Sequence, residues 1–353
     1  MAVTIEPRPP VTHNGSSTPR RWSTRRVVVV IAALIVASVM LVGATWPQSF
    51  GLHRAFGVAQ LIAFRPVLVI GFAVVAVITG GIALLANRRS RRIIAVVVAG
   101  VLLIAALAQA AVLGARGWGN AFAPPDSTSM LVDGDLIVLS WNAQGGATST
   151  QKIADLALTV RPDVIALPET DAVAAGEIRT ILAEHGLTMS SSTVGERIPT
   201  SVLISTELGS YRLDASRGST PGLPSGVWLP DDEASPPIVV AHPMPPLPAN
   251  MDDWRDGLKW VAEQCRTLGA GVVVAGDLNA TIDHLGALPG CSDAAQASSM
   301  AASGTWPSTA PQPLSSPIDH VLVGALWEVL DVRIIDTPSP GSDHRPIVAV
   351  LGS

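Results

Sequence analysis

A chain of 353 residues has room for an anchor region and one α/β domain of about 200–250 residues. Apolar residues make up 48% of it and charged residues only 14%, so part of the chain is suited to lipid rather than water. The net charge of −5 hides two opposite parts: residues 1–116 carry 12 Lys+Arg against one acid (+11), and the remainder carries 11 against 27 (−16). So acidic a second part weighs against a domain that grips duplex DNA through basic side chains, and fits a site where a bound cation supplies the positive charge.

Residues 1–26, with Pro9, Pro10, Gly15 and Ser16, read as a disordered cytoplasmic arm. Three apolar stretches follow within residues 27–115: Val27 to Trp46, Val67 to Ala86 and Ile93 to Leu113. Each has the roughly 20 residues that cross a hydrocarbon core of about 30 Å, so three transmembrane helices are expected. The first is too long for the apolar part of a signal peptide, despite the preceding Arg20, Arg21, Arg25 and Arg26, and is read as retained. Arginines also crowd the second loop (Arg88, Arg89, Arg91, Arg92), whereas the first loop holds only His53, Arg54 and Arg65, and Arg116 alone follows the third span. Positive loops stay inside, which places the N-terminus in the cytoplasm and the C-terminal domain outside the cell membrane. Arg65, at the edge of the second span, is expected to snorkel to headgroups.

Residues 116–135, rich in Gly, Pro, Ser and Asp, read as a linker, and residues 136–353 as one folded domain. Buried strands are expected at Leu136 to Trp141, Asp163 to Leu167, Ser201 to Ser205, Ile238 to Ala241, Gly271 to Ala275, His320 to Val323, Trp327 to Ile335 and Ile347 to Leu351. Helices are expected at Thr150 to Val160, Asp171 to Glu184 and Asp252 to Leu268, and loops at 218–237 and 301–316. This alternation predicts an α/β fold, two sheets packed face to face with helices outside. Cys265 and Cys291 are spaced unlike metal ligands and read either as a pair, if the domain faces an oxidising compartment, or as small buried side chains.

Acidic, amide and imidazole side chains recur at strand ends: Asn142, Glu169, His242, Asp277 with Asn279, Asp319, and Asp343 with His344. Polar groups at the ends of strands converge on one mouth, and six such clusters in order are unlike chance. His13, His53, His185 and His284 lie in no cluster and read as solvated or packed, and Trp306 and Trp327 as packing.

The succession from Leu136 to Gly352, above all Gly-Asp-Leu-Asn at 276–279 and Ser-Asp-His-Arg-Pro at 342–346, resembles the endonuclease/exonuclease/phosphatase superfamily. That resemblance implies a four-layer α/β/β/α sandwich, DNase I-like, behind the three-helix transmembrane anchor, and a hydrolase acting on phosphoesters. A hard cation, Mg²⁺ or Mn²⁺, bound by carboxylate oxygens offsets phosphate charge, and Glu169, Asn142 and Asp343 are the metal-site residues expected. Asp277 is the candidate base for a water, Asn279 its positioning amide, and His242 a second imidazole over the phosphate. His344, partnered by Asp319, is expected to be cationic and to stabilise the oxyanion. Ala143 and Gln144 stand where some members carry an acid after the first Asn, which leaves fewer ligands for a second metal. The expected substrates are a phosphorylated small molecule, a lipid headgroup or an envelope phosphodiester. A nuclease acting on DNA and a catalytically silent binding protein of the same fold are the alternatives, and a Lys/Arg patch with interleaved aromatics, which would favour nucleic acid, is missing.

Overall fold

The computed structural model describes residues 28, 39, 41–43, 45–119, 135–336 and 341–353, and residues 42–353 form one compact unit. Most of the first predicted span, 27–46, and most of the predicted linker lie outside the described residues. A short helix α1 (Val58–Ala63) leads into α2 (Arg65–Leu85) and α3 (Arg89–Arg116), which pack along one another. By length and composition α2 and α3 are the two helices among the described residues able to cross a membrane. They carry bulky apolar side chains on their outer surface, with Val77, Leu84 and Leu85 at least 75% exposed, which sets them apart from core helices of a water-soluble domain.

The remainder is a sandwich. Its first half runs β1 (Leu136–Ser140), α4 (Thr150–Val160), β2 (Val164–Pro168), α5 (Ala172–Glu184), β3 (Met189–Val194) and β4 (Thr200–Ser205). Then come β5 (Tyr211–Leu213), β6 (Gly226–Pro230), β7 (Ile238–Val240), α6 (Met251–Thr267), β8 (Val273–Asp277) and α7 (Ile282–Leu285). The chain ends with β9 (Cys291–Asp293), α8 (Ala294–Ala297), β10 (Asp319–Gly324), β11 (Glu328–Ile334) and β12 (Ile347–Gly352). Two six-stranded sheets result, ordered β11-β12-β1-β2-β4-β3 and β5-β6-β7-β8-β10-β9.

Strand alternation explains the layers. Leu136 and Val138 of β1 join Val273, Ala275 and Val321 in the core between the sheets, while Ile137 and Leu139 face the layer of α4 and α5. On the other side Val272 and Val274 meet Trp254, Leu258 and Val261 from one stripe of α6. Helix α6 starts with Asp252 and Asp253 and ends with Arg266, as its dipole favours. Local caps fix the other starts: Ser149 Oγ accepts from Lys152 N, and Asp171 Oδ1 from Ala174 N at 2.8 Å. The expected four layers, α/β/β/α, are therefore present, and every strand predicted between 136 and 352 is found within a few residues of its place. Strands β3, β5, β6 and β9 were not expected.

The sandwich and the helices α2 and α3 meet at a buried ion cluster. Asp283, opening α7, accepts from Arg65 Nε at 2.7 Å and Arg65 Nη2 at 2.8 Å, pairs with Arg116, and takes Gln48 Nε2 at 2.8 Å. Burial by itself raises the Asp283 pKa, but the hydrogen bonds and charges of Arg65 and Arg116 outweigh it and hold the carboxyl well below the usual carboxylate range. Arg65, 1% exposed, thus turns to a partner in the sandwich rather than outward to headgroups. Nothing near Arg65 in the sequence announces a carboxylate 218 positions away.

Cys265 and Cys291 are joined in a disulfide, Cα atoms 5.4 Å apart, tying the end of α6 to β9. Closing a loop of this length contributes about 3–4 kcal/mol through the unfolded chain. Replacing both cysteines by alanine should therefore lower the melting temperature of the full chain by several degrees, and reducing agent should lower the wild type equally. A wild-type melt indifferent to reductant would contradict the bond.

Candidate active site

All eight residues singled out from the sequence stand at one end of the sandwich, on both sheets. Parallel pairing of β1 with β2 puts Asn142 and Glu169 just beyond adjacent strand ends. Antiparallel pairing of β10 with β8 sets Asp319 directly opposite Asp277. Parallel pairing of β7 with β8 brings His242 beside them, and the turn before β12 delivers Asp343 and His344. Gly276 makes this possible: a Cβ there would lie 2.0 Å from Ala241 O, so only glycine lets β8 run this close to the strand end that carries His242. Two site residues hold the left-handed backbone that non-glycine side chains rarely adopt, Glu169 (φ 56°) and Asn279 (φ 47°), strain of the kind stored at functional sites.

Asp277 is the centre, 1% exposed. Its Oδ1 accepts from Asn279 N at 2.8 Å and its Oδ2 from Asn142 Nδ2 at 3.1 Å. The same Oδ2 lies 3.7 Å from His242 Nε2 and 3.7 Å from His344 Nε2. Burial raises the Asp277 pKa against the pull of His344, which suits a group that takes up a proton. Asn142 bridges two acids, since its Nδ2 also donates to Glu169 Oε1 at 3.0 Å while its Oδ1 accepts from Gln144 N. Asn279 Nδ2 donates to Pro243 O at 3.0 Å, and Trp254 Nε1 to Asn279 O, fixing the loop after β8.

The two imidazoles differ. His344 Nδ1 donates to Asp319 Oδ2 at 2.9 Å. Burial alone would lower its pKa, yet the charges of Asp319 and Asp277 and the Asp319 hydrogen bond push it up to about 10, so His344 is a cation at neutral pH. Burial lowers the pKa of His242, whose Nδ1 finds no partner among the described residues, and so keeps it neutral.

As donors for an ion, four carboxylates and an amide surround one cationic imidazole with no lysine, a hard-oxygen set that fits Mg²⁺ or Mn²⁺. Asp277, Asp319 and His344 bring ligand atoms within 4.8 Å of one another. Asp319 and His344, however, are already hydrogen-bonded to each other, and a cationic imidazole repels a metal. Glu169 and Asp343, whose side chains are 28% and 35% exposed, are the acids open to an ion.

Several contributors were not singled out from the sequence. Gln144 Oε1 accepts from Asp343 N at 3.0 Å, and Ser342 Oγ donates to Asn142 O at 2.6 Å, locking the last turn onto the first. Trp306, read as packing, donates from Nε1 to Asp343 Oδ2 at 2.8 Å. His320, beside Asp319, is no surface group: its Nδ1 meets Asp293 Oδ2 at 2.6 Å and its Nε2 donates to Ala280 O, steadying the loop after Asn279. Arg345 is 3% exposed and spent on Asp336, Ser315 Oγ and the carbonyls of Pro307, Ser308 and Ala310, so it holds a loop and does not face the mouth.

The His344 pair is directly testable. In metal-free protein the His344 ring should stay protonated through pH 8 by NMR, and Asp319→Asn should shift its titration downward by more than one unit. A titration near pH 6.5 in the wild type would contradict the pairing.

A model described as the Endonuclease/Exonuclease/phosphatase family matches residues 139–344. No curated protein matches the chain in sequence. Among solved structures, a D. rerio TDP2 humanized by 14 mutations is 14% identical with a TM-score of 0.50, the match covering 63% of this chain and 100% of that one. D. rerio TDP2 complexed with single strand DNA product is 16% identical, also with a TM-score of 0.50, over 63% of this chain and 100% of that one. At such identities the likeness is one of fold. The family match spans more than half of the chain, including Gly-Asp-Leu-Asn at 276–279 and the Ser-Asp-His at 342–344, and the chain belongs to the endonuclease/exonuclease/phosphatase family.

Proposed function

We propose that the chain is a divalent-metal-dependent phosphoester hydrolase working at the outer face of a membrane. The observation that carries this reading is the buried Asp277 carboxylate, set between a neutral His242 and a cationic His344 and linked through Asn142 to Glu169. Asp277 accepts a proton from the attacking water, while Asn279 and His242 orient the phosphoryl group over it. His344, kept charged by Asp319, stabilises the oxyanion as the ester bond breaks. Glu169 and Asp343, with Asn142 orienting Glu169, would hold a divalent cation, which would supply positive charge against the phosphoryl oxygens. Its identity as Mg²⁺ or Mn²⁺ rests on the oxygen donors.

Three features support the membrane and its outer face. Arg65 and Arg116 lie at the end of the helix pair that meets the sandwich, whereas Arg88, Arg89, Arg91 and Arg92 lie at the other, as expected for a cytoplasmic loop. The Cys265–Cys291 disulfide belongs to an oxidising compartment. At the end of the first predicted span and in the segment after it, Trp46, Phe50 and Phe56 are at least 50% exposed, as suits side chains at headgroup level. A loop of Pro243 to Pro248 runs from His242 to that segment, where Gln60 bonds Pro246 O, and exposes Leu247. These surroundings favour a lipid headgroup over a soluble phosphorylated molecule or an envelope phosphodiester. They also disfavour DNA, because the one arginine of the last motif is buried.

The test is hydrolysis by the full chain in detergent or nanodiscs. The panel holds an aryl phosphodiester, an aryl phosphomonoester, anionic phospholipid vesicles and single-stranded DNA, each with Mg²⁺, Mn²⁺ or EDTA. Turnover abolished by EDTA and reduced about 10²–10⁴-fold in Asp277→Asn is expected. A folded, metal-loaded chain silent on every member would leave a binding protein of this fold. A C-terminal reporter that works only outside the cytoplasm should be active, and cytoplasmic activity there would overturn the topology.

A further inference from the structure

The segment preceding α2 grips two loops beside the candidate machinery. Its first grip is on α7, which begins directly after Asn279, Ala280 and Thr281. Arg54 donates to His284 O at 2.7 Å and to Leu285 O at 2.9 Å, His284 Nε2 lies 3.0 Å from Ala59 O, and the Asp283 ion cluster closes around Arg65. The second grip is on the loop before β10. Phe64, the residue capping α2, lies against the Trp306 ring with centroids 5.9 Å apart and planes tilted by 53°. The indole of that same Trp306 donates to Asp343 Oδ2 at 2.8 Å, and Ser308 N, two residues on, donates to Asp343 O at 2.7 Å.

We infer that Trp306 is a positioning residue for the Asp343 carboxylate and that Phe64 holds its ring in place, so that the anchor completes the active-site scaffold. This rests on the reading of Asp343 as a metal ligand. A carboxylate on a turn swings freely about two torsions. Fixing Oδ2 with the indole N–H leaves Oδ1, 3.9 Å from His344 Nε2, as the oxygen presented to the mouth. Indole is suited to the task, being rigid, a donor only, and able to meet an apolar ring on its other face. Outer contacts of this kind alter metal affinity by about 10–100-fold when removed.

Mn²⁺ binding to the full chain, followed by electron paramagnetic resonance, tests the inference. Trp306→Phe, which keeps a ring on Phe64 but loses the N–H, should weaken Mn²⁺ binding about 10-fold. It should raise the Mn²⁺ concentration for half-maximal turnover while changing kcat at saturating Mn²⁺ far less. In an Asp343→Asn background the same substitution should have no further effect on binding. Phe64→Leu, remote from the ion, should weaken Mn²⁺ in the same direction and serves if Trp306→Phe does not fold. Wild-type Mn²⁺ affinity in both variants overturns the inference, as does an equal loss with and without Asp343. A wild-type chain that binds no Mn²⁺ is a different result: it removes the metal site itself, and this inference with it.

Discussion

The structure depends on one unfavourable act, the burial of the Asp277 carboxylate between two sheets. A carboxylate removed from water is destabilised unless hydrogen bonds and opposite charge meet it. Here they come from separate parts of the chain: hydrogen bonds from Asn142 after β1 and from the Asn279 backbone, and opposite charge from His344 before β12, which Asp319 on β10 holds in place. None is a neighbour in sequence beyond the Asn279 turn, so the strand register has to be right before the group can be accommodated. The arrangement also divides the imidazoles. The one beside Asp319 becomes a cation, and the one without a carboxylate partner on Nδ1 stays neutral. A proton acceptor, a cation and a neutral imidazole side by side follow from where the acids lie.

A second buried carboxylate, Asp283, does for the junction of the α2–α3 pair with the sandwich what Asp277 does for the mouth. Two arginines at the ends of α2 and α3 would be left without their acid if it were lost, and breaking a buried pair from one side is costly, about 3–5 kcal/mol. Helices α2 and α3 are thereby part of the same compact unit as the sandwich, residues 42–353. That geometry keeps the mouth close to the segment before α2, which bears on what reaches it.

Much of the candidate site was legible because strand ends carry chemistry and interiors do not. Apolar, β-branched runs marked β1, β2, β7 and β8, and the polar residues at or just beyond their ends gave Asn142, Glu169, His242, Asp277 and Asn279, while Asp343 and His344 came from the turn before β12. What escaped has physical reasons. Strand β3 reads Met-Ser-Ser-Ser-Thr-Val, a polar edge with no apolar period, and β6 lies among Gly and Pro in a stretch expected to be loop. Strands β5 and β9, three residues each, are too short to show alternation. Arg65 could be matched to headgroups by position, but its true partner lies 218 residues on, and only the fold brings them together. Trp306 looked like packing, and it does pack, on Phe64; its second role lies in the N–H, which no pattern of apolar residues records.

The chemistry of the mouth turns on where a divalent cation sits. Crystals of the full chain grown with Mn²⁺ and measured at the manganese edge locate it without reference to any substrate. The account predicts one anomalous peak between the carboxylates of Glu169 and Asp343, with His344 still paired to Asp319. A peak seated on Asp277, Asp319 and His344 together, or a well-ordered mouth with no peak at saturating Mn²⁺, would contradict it.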